Sequence, residues 1–387
     1  GLVMAPGRNS NLLLAAERDV LFSDIVQSRL PLTLLPRPTA PYVPDDTKSF
    51  MRNGGGNFSS IYVNALLNPD VLDLVDDYQP TRIYARTGSI EHLYARAGAS
   101  INPSVQRIAT LHSNEQVWLR AGRDIRGVDL DIRNNHLTDV SLLEAGNDFL
   151  MTGSGGDGTG RVSVRGPGAI VIQAGRDVYF EKTRFAGQGY LETTGNYRST
   201  NYDQSIVTEK GLPPGGADIV ILAGIKQQPD YAGFMEAYLD PANVAAMPDY
   251  LRRTVGPQNT LLPVHFTDWV DERNIIHYGL ASFVVAKTGN AALRTASAEA
   301  IWQAFLALPA LTREIFVRNV LAYEVRETNR ANAGLPLGEQ NHARGYDAIA
   351  KLFPGDNWNG SIVNTNARIE TTRGGDVSMF VPGGGVQ

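Results

Sequence analysis

An aspartate recurs at a matching place in five similar segments, and this repeated carboxylate is the residue type here most suited to chemistry. The five residues are Asp19, Asp124, Asp148, Asp177 and Asp376. If the segments lie side by side as strands, the carboxylates form a row with a spacing of about 4.8 Å. Such a row could bind Ca²⁺ through its oxygens or supply the carboxylate pair of a glycosidase.

A structural role explains the same row more simply. Each aspartate can cap its own corner by accepting hydrogen bonds from backbone N–H groups, while Arg123 and Arg176 offset the repulsion between carboxylates. A catalytic pair is needed at one location only, whereas a cap is needed in every repeat. The sequence therefore predicts corner caps, and it predicts that Ca²⁺ leaves the melting temperature unchanged.

Two glycine-containing stretches resemble ligand-binding motifs but lack the required spacing. Gly153–Gly160 is a single stretch without the nonapeptide period of calcium-binding repeats, so it predicts a loop. The pair Gly187 and Gly189 lacks the third glycine and the following helix of a dinucleotide fingerprint. The sequence also contains no GxSxG nucleophile elbow.

The stretch His265–Asp271 (HFTDWVD) offers one histidine and two acids, which could form a metal-binding corner. The favoured interpretation is a helix start capped by Thr267 or Asp268. A nearby aromatic group predicts core packing rather than a carbohydrate platform; its members are Tyr231, Phe234, Tyr238 and Tyr250. The sequence therefore assigns no catalytic, cofactor-binding or metal-binding residue.

The elements that position these residues follow from one segment, Ala169–Phe180 (AIVIQAGRDVYF). Its alternating apolar residues predict a strand, a tight corner at Ala174–Asp177 and a second strand. Gly175 can take a positive φ at that corner. Copies of the segment are found at Asn11–Phe22, Val117–Ile125, Ser141–Met151 and Arg368–Phe380, with weaker copies at Ile83–Ile90, Leu93–Ile101 and Ile219–Ile225.

The spacing of the copies predicts a solenoid of β repeats. Gly98, Gly122 and Gly146 are 24 residues apart, and short strands with such a period bury their apolar faces only when neighbouring repeats stack. Gly122, Gly146 and Gly175 are then expected at equivalent corners. Stacked in register after them are the apolar residues Ile125, Phe149 and Val178.

The chain divides into five predicted regions. These are the first solenoid strands at 1–22, an irregular proline-rich crossing at 23–80 with a short helix near 66–75, the β-solenoid at 81–228 with a polar, irregular stretch at 181–216, a helical insertion at 229–353, and a returning rung at 354–387. About 125 inserted residues exceed what stacking requires. The insertion is expected to pack beside the solenoid, either as a recognition surface or as a shield against strand-to-strand aggregation.

Helical spacing replaces alternation within the insertion. Ser297 is the predicted N-cap of a helix that buries Trp302 and Phe305. Pro309 opens a longer helix, and Asn341–Leu352 predicts another that Pro354 and Gly355 stop. Asp268–Ala286 is also expected to be helical.

Composition limits the function classes. The net charge of −5 at pH 7 and the pI near 5.7 give no electrostatic basis for nucleic-acid binding. The absence of cysteine excludes disulfides, thiol catalysis and cysteine-bound metals. No apolar run reaches the roughly 20 residues that a bilayer crossing needs. The chain starts without Met and almost at once with a repeat, so we expect it to be a segment of a longer protein.

The repeats AGRDI, EAGNDFLM and QAGRDVYF resemble the filamentous-haemagglutinin-like exoproteins of Gram-negative bacteria. The helical block followed by GYDAIAKLFPGDNWNGSI (Gly345–Ile362) and RIETTRGGDVSMFVPGGGV (Arg368–Val386) is similar to an uncharacterised domain near their C-terminal end. The resemblance implies a right-handed parallel β-helix that a partner β-barrel exports across the outer membrane, the arrangement called two-partner secretion. It supplies no catalytic motif.

The sequence thus predicts a segment of a large secreted or surface-exposed exoprotein with a structural and adhesive role and no catalysis. Its expected partners are the outer-membrane transporter and a receptor or glycan on a host or neighbouring cell, without nucleic acid, cofactor or transmembrane segment. One alternative is a polysaccharide-degrading β-helix enzyme, which needs acidic and basic side chains converging in a groove on one long face. Another is the stalk of a contact-dependent toxin.

Overall fold

A computed structural model describes most of the chain. The described residues are 2–4, 12–22, 25–27, 80–92, 94–95, 107–108, 110–113, 115–151, 161–181, 190–199, 206–208, 212–271, 274–365 and 367–387. The predicted proline-rich crossing, its short helix and the glycine-rich loop lie almost wholly outside these residues. The chain forms two compact units, Gly1–Lys226 with Asn359–Gln387, and Gln227–Trp358.

The first unit is built from three parallel sheets, A, B and C. Sheet A has the order β1 (Leu2–Met4), β4 (Ile25–Gln27), β9 (Thr110–His112), β12 (Asp129–Arg133), β15 (Arg161–Arg165), β18 (Tyr190–Gly195) and β27 (Arg368–Thr371). Sheet B has the order β2 (Leu13–Ala16), β5 (Thr81–Ala85), β10 (Val117–Ala121), β13 (Val140–Ala145), β16 (Ala169–Ala174), β21 (Asp218–Leu222) and β28 (Val377–Phe380). Sheet C contains β3 (Val20–Phe22), β6 (Ile90–His92), β11 (Ile125–Arg126), β14 (Phe149–Met151), β17 (Val178–Glu181) and β26 (Ile362–Thr365).

The chain passes through sheets B, C and A in turn and then returns to B, and we call one such passage a repeat. The sequence pattern predicts two strands per repeat, but each described repeat from β2 to β27 has a third strand in sheet A. β18 even lies inside the stretch predicted to be irregular, 181–216. Most of the sheet A strands were missed because segments such as DLDIR are short and lack the AGRD-like corner by which the copies are recognised. Among the described residues, two antiparallel hairpins interrupt the repeats, β7 (Tyr94–Ala95) with β8 (Arg107–Ile108) and β19 (Tyr197–Ser199) with β20 (Ile206–Thr208).

The core lies between the three sheets and is made of apolar side chains stacked in register. On sheet B, Leu119 pairs with Leu143, and Leu143 with Ile172, and all three are fully buried. The predicted stack on sheet C is confirmed, because Ile125 pairs with Phe149 and Phe149 with Val178, again fully buried. Each such side chain contributes about 1.5–3 kcal/mol through burial, so adding repeats extends one continuous core.

Gly122, Gly146 and Gly175 lie at equivalent corners, as predicted, but the physical reason for glycine there differs from the one that the sequence suggested. A Cβ atom on Gly175 would lie 2.0 Å from the carbonyl oxygen of Gly146, and one on Gly146 would lie 2.3 Å from that of Gly122. The positive φ that glycine allows is not used at Gly175, since its φ lies outside the left-handed region. Close approach of neighbouring backbones excludes a side chain there. Gly98, from which the 24-residue spacing was also counted, lies outside the described residues, and the corner residue that precedes Gly122 in the stack is Arg86.

The second unit is mainly helical. Its helices are α1 (Tyr231–Tyr238), α2 (Leu280–Thr288), α3 (Ala298–Leu306), α4 (Ala310–Ala331) and α5 (Ala343–Leu352), with short 3₁₀ turns at Pro241–Ala246, Asp249–Leu251, Ala291–Thr295 and Leu337–Glu339. Two antiparallel hairpins join them, β22 (Arg252–Val255) with β23 (Thr260–Pro263) and β24 (Trp269–Val270) with β25 (Ile276–His277). Among the described residues, no helix has both the length and the apolar composition that a bilayer crossing requires.

Most helix predictions hold. Ser297 caps α3 by accepting a hydrogen bond from the N–H of Ala300 at 3.2 Å. Trp302 and Phe305 are buried, and Pro309 precedes α4. The predicted helix over Asp268–Ala286 is partly wrong, because β24 and β25 occupy its first half and α2 begins only at Leu280. The predicted packing of this unit beside the sheets stays a prediction.

The second unit is inserted at one corner between sheets B and C. After β21 the N–H of Gly224 donates to the carbonyl of Arg176 at 2.8 Å, as a corner residue does. The chain returns with Ser361, whose N–H donates to Asp177, and then enters β26. The inserted unit, Gln227–Trp358, is slightly longer than the predicted 229–353.

Candidate functional site

The predicted carboxylate row exists at the corner between sheets B and C. Oδ1 of Asp124 accepts from the N–H of Asp148 at 3.2 Å, and Oδ1 of Asp148 accepts from the N–H of Asp177 at 3.1 Å. In the same way Asp177 accepts from Ser361 at 2.8 Å. The aspartates are therefore caps, as predicted. The prediction that each caps its own corner is wrong, because each caps the corner of the following repeat and so ties two repeats together.

Arginines compensate the charge of this row. Nε of Arg176 donates to Oδ1 of Asp148 at 2.8 Å, and a second guanidinium nitrogen contacts Oδ2. Arg126 donates to Asp124 at 2.5 Å. Burial raises the pKa of Asp148, but the hydrogen bonds from Arg176 and from the Asp177 N–H outweigh it, so the pKa lies below its ordinary value. Within the described ranges, no group of three His, Cys, Asp or Glu side chains is placed to hold a metal ion.

Asp376 does not belong to this row, contrary to the sequence prediction. Val377, which follows it, pairs with Ile219 of sheet B, and the N–H of Asp376 donates to Oδ1 of Asp218 at 2.9 Å. Asp376 therefore lies at the corner between sheets A and B. The segment Arg368–Phe380 resembled the other copies because it also reads strand, corner, strand, but it spans a different pair of sheets.

The stretch His265–Asp271 supplies a cap rather than a metal corner. The carboxylate of Asp268 accepts from the N–H of Gly279 at 2.8 Å and from the hydroxyl of Ser282 at 2.6 Å. Asp268 thus caps the start of α2 from across the β24–β25 hairpin. Asp271 lies 3.3 Å from Nε2 of His277, so its carboxylate is engaged within the hairpin.

A buried polar cluster in the second unit was missed by the sequence analysis. Glu324 is fully buried; its Oε1 lies 2.7 Å from Nε2 of His265, and its Oε2 accepts from Nε of Arg344 at 2.6 Å. Burial raises the pKa of Glu324, but the hydrogen bonds from His265 and Arg344 outweigh it and lower the pKa. The ring of Tyr323 packs edge-on against His265 at 5.0 Å and against Trp269 at 5.6 Å.

The geometry of this cluster indicates that it stabilises the fold of the second unit. The carboxylate of Glu324 contacts both His265 and Arg344, and it joins α4, α5 and the chain just before the β24–β25 hairpin. No local spacing could have revealed it, since His265, Glu324 and Arg344 are far apart in sequence and meet only through packing.

The predicted aromatic core is confirmed for three of its four members. Tyr231, Phe234 and Tyr238 are buried, and the rings of Phe234 and Tyr238 stack at 4.2 Å. Tyr250 is 39% exposed and packs under the guanidinium of Arg344 at 4.8 Å.

A groove on the outer face of sheet B is a described concavity that could hold a ligand. It has a volume of about 600 Å³, within the range of small-molecule sites. Its polar lining is Glu17, Tyr84, Arg86, Arg120 and Glu144, and the rest of its lining is alanine and glycine. We call it the sheet B groove.

The polar side chains of the sheet B groove form two ion pairs. Arg86 donates to both carboxylate oxygens of Glu17 at 2.6 Å. Nε of Arg120 lies 3.2 Å from Glu144, and the same guanidinium lies 5.8 Å from the ring centroid of Trp118. The sequence alone did not predict the groove, because its side chains come from four different strands and corners that meet only through strand pairing.

Comparisons of the chain with protein-family models, with curated proteins and with solved structures found no match.

Proposed function

We propose that the first unit is a right-handed parallel β-helix and that the chain is a segment of a large exported protein of the filamentous-haemagglutinin type. In this proposal the β-helix acts as a shaft at the surface of a Gram-negative cell and contributes to adhesion, without catalysis. A partner outer-membrane barrel exports the chain.

The single observation that carries the proposal is the parallel, in-register pairing of successive repeats in all three sheets, with a described register shift at Val164–Arg165 of β15. Stacked repeats of this kind are rigid and extendable, because each repeat buries its apolar face against its neighbours. The aspartate caps support the same role, since Asp124, Asp148 and Asp177 each bind the following repeat. Because these carboxylates accept hydrogen bonds from backbone N–H groups, a structural role is favoured over a catalytic one.

One observation favours the polysaccharide-degrading enzyme as a second candidate. The sheet B groove brings acidic and basic side chains together on one long face, as that alternative requires. Both oxygens of Glu17 are engaged by Arg86, however, and Glu144 is paired with Arg120. A glycosidase needs one carboxyl group free to give a proton and another free to attack or activate water, so the ion pairs favour binding over cleavage. The toxin-stalk alternative remains a prediction of the resemblance.

Adhesion and cleavage are tested together. Beads coated with the purified chain are offered to bacterial, plant and animal cell surfaces, with heat-unfolded chain as the control coating, and the same preparation is incubated with polysaccharides while reducing ends are measured. We expect beads carrying folded chain to adhere to at least one surface and no reducing ends to appear. Equal adhesion of both coatings contradicts the adhesive role, and released reducing ends contradict the absence of catalysis.

Export is tested in the source bacterium. We expect antibody against the chain to label intact cells or the culture medium, and deletion of the partner transporter gene to confine the chain inside the cell. Unchanged surface labelling after that deletion contradicts two-partner export.

A further inference from the structure

The sheet B groove is deep at Gly122 and Gly146 because these corner residues have no side chain. A side chain at either glycine would clash with the preceding repeat. A Cβ atom on Gly122 would lie 2.2 Å from the carbonyl oxygen of Arg86, and one on Gly146 would lie 2.3 Å from that of Gly122. In the two preceding repeats the same corner carries the long side chains of Arg86 and Glu17. Bare backbone beside large side chains leaves a recess, and this recess lies along the stacking direction of the repeats.

The polar lining of the groove runs along one register row of sheet B. Tyr84 pairs with Arg120, and Arg120 pairs with Glu144, in three successive strands. Their sequence neighbours Ile83, Leu119 and Leu143 are fully buried, so the three polar side chains stand on the outer face. The row repeats about every 4.8 Å, which is close to the length of one pyranose ring in an extended chain. A periodic surface of this kind matches a periodic polymer.

The charges of the groove balance. Two guanidinium groups, Arg86 and Arg120, are paired with two carboxylates, Glu17 and Glu144. An acidic ligand would have to displace a carboxylate, whereas a neutral ligand with hydroxyl groups can use the guanidinium donors and the carboxylate lone pairs that the ion pairs leave free. The side chains of Arg86 and Glu17 are 74% and 59% exposed, so these atoms are accessible to a ligand.

Tyr84 supplies the apolar surface that a sugar ring needs. An aromatic ring offers a flat apolar body with a polar tip, and a pyranose presents axial C–H bonds on its face and hydroxyls at its rim. Arg120 is held beside it between Glu144 and the ring of Trp118, and a side chain held in advance loses less entropy when it binds.

We propose that the sheet B groove binds an extended neutral oligosaccharide, a β-1,4-linked chain of uncharged pyranoses, with Tyr84 as its stacking platform and the pairs Arg86–Glu17 and Arg120–Glu144 as its hydroxyl partners. This inference deepens the proposed function, on which it rests, by naming the class of ligand that the shaft binds along its side.

Binding to hexasaccharides tests the proposal. The full chain is titrated calorimetrically with cellohexaose, xylohexaose, mannohexaose and hexa-N-acetylchitohexaose, and with hexagalacturonate as the acidic comparison. We expect at least one neutral hexasaccharide to bind and hexagalacturonate to bind at least tenfold more weakly. Tightest binding of hexagalacturonate, or binding of none of the neutral hexasaccharides, overturns the proposal.

A matched pair of variants locates the binding. Tyr84→Ala is expected to weaken the neutral hexasaccharide at least tenfold, while Tyr179→Ala, on the outer face of sheet C, leaves its affinity within twofold. The double variant Glu17→Gln, Glu144→Gln leaves the two arginines uncompensated, and we expect it to raise the affinity for hexagalacturonate. Equal losses in Tyr84→Ala and Tyr179→Ala place the ligand elsewhere and overturn the proposal.

The outcomes separate this inference from the proposed function. If coated beads adhere but no neutral hexasaccharide binds, the groove inference fails and the adhesive shaft stands. If the hexasaccharide binds in the groove but coated beads do not adhere, the adhesive role fails and the site stands.

Discussion

Each of the two units of this protein is stabilised by a different kind of internal contact. In the first unit the same contacts recur: apolar side chains stack in register, an aspartate caps the following repeat, and glycine occupies the corner at Gly122, Gly146 and Gly175. The second is held by contacts that occur once, such as the buried Glu324 between His265 and Arg344. Loss of one repeated contact removes a small share of the first unit's stability, whereas loss of a unique buried charge affects the whole second unit.

The strongest test of this comparison removes one unit. Gly224 lies against Asn359 and Gly360, since a Cβ on Gly224 would be 3.0 Å from both. Replacing Gln227–Trp358 by a short glycine linker should therefore leave the parallel sheets intact, measured as a cooperative thermal melt with a β-type circular dichroism spectrum. If the trimmed chain aggregates, the helical unit acts as a shield. If it folds and adhesion is lost, the helical unit is the recognition element. Unchanged folding and adhesion contradict both predicted roles.

Within the second unit, Glu324→Ala should have the largest effect of a single substitution. It leaves Arg344 and His265 without their buried carboxylate, which typically costs about 3–5 kcal/mol. Chemical denaturation of this variant is compared with that of Glu339→Ala, whose side chain is exposed. A loss no greater than that of Glu339→Ala would contradict the stabilising role of the buried cluster.

In the first unit, Gly146→Ala tests the close approach of neighbouring backbones. Its new Cβ would meet the Gly122 carbonyl oxygen at 2.3 Å, and relieving such crowding costs about 1–3 kcal/mol. Gly215→Ala is the matched control, because a Cβ there meets nothing within 4 Å. Equal stability of the two variants would show that the corner backbones can separate without cost.

The smallest single-residue effect is expected at a corner cap. Asp124→Ala loses the bond to the N–H of Asp148 and should cost about 1 kcal/mol. Ca²⁺ should leave the melting temperature of the unaltered chain unchanged, since the aspartates already hold backbone N–H groups and arginines. A rise in melting temperature with Ca²⁺ would instead indicate metal binding in this row.

Lowering the pH should reduce the free energy of unfolding of both units, because each contains a carboxylate whose pKa is lowered by folding. The pKa of Glu324 and that of Asp148 are lowered by folding from ordinary values of 4.5 and 3.8. The unfolded chain then binds more protons near these pH values, so the stability from each carboxylate is complete above its ordinary pKa and is lost as the pH falls through the lowered one. Denaturation between pH 6 and pH 3 should show this fall, and Glu324→Gln should flatten it.

The sequence predicted best where structure is local and repeated. Alternation around Ile125, Phe149 and Val178 predicted both the strands and their register, and Ser297 and Pro309 predicted helix starts. Prediction failed where the local signal was ambiguous. Asp376 follows the same strand and corner pattern as Asp124, yet only the pairing of Val377 with Ile219 places it between sheets A and B.

The sequence by itself determined that the chain alternates apolar residues around recurrent corners and interrupts them with a helical block. Both follow from backbone periodicity, which each segment expresses without its neighbours. Only the tertiary structure decided which repeat each aspartate caps, why the corner glycines are bare, and that Tyr84, Arg120 and Glu144 share one outer row. Those features depend on which strand lies beside which, and the burial of the whole core, rather than any local preference, selects that register.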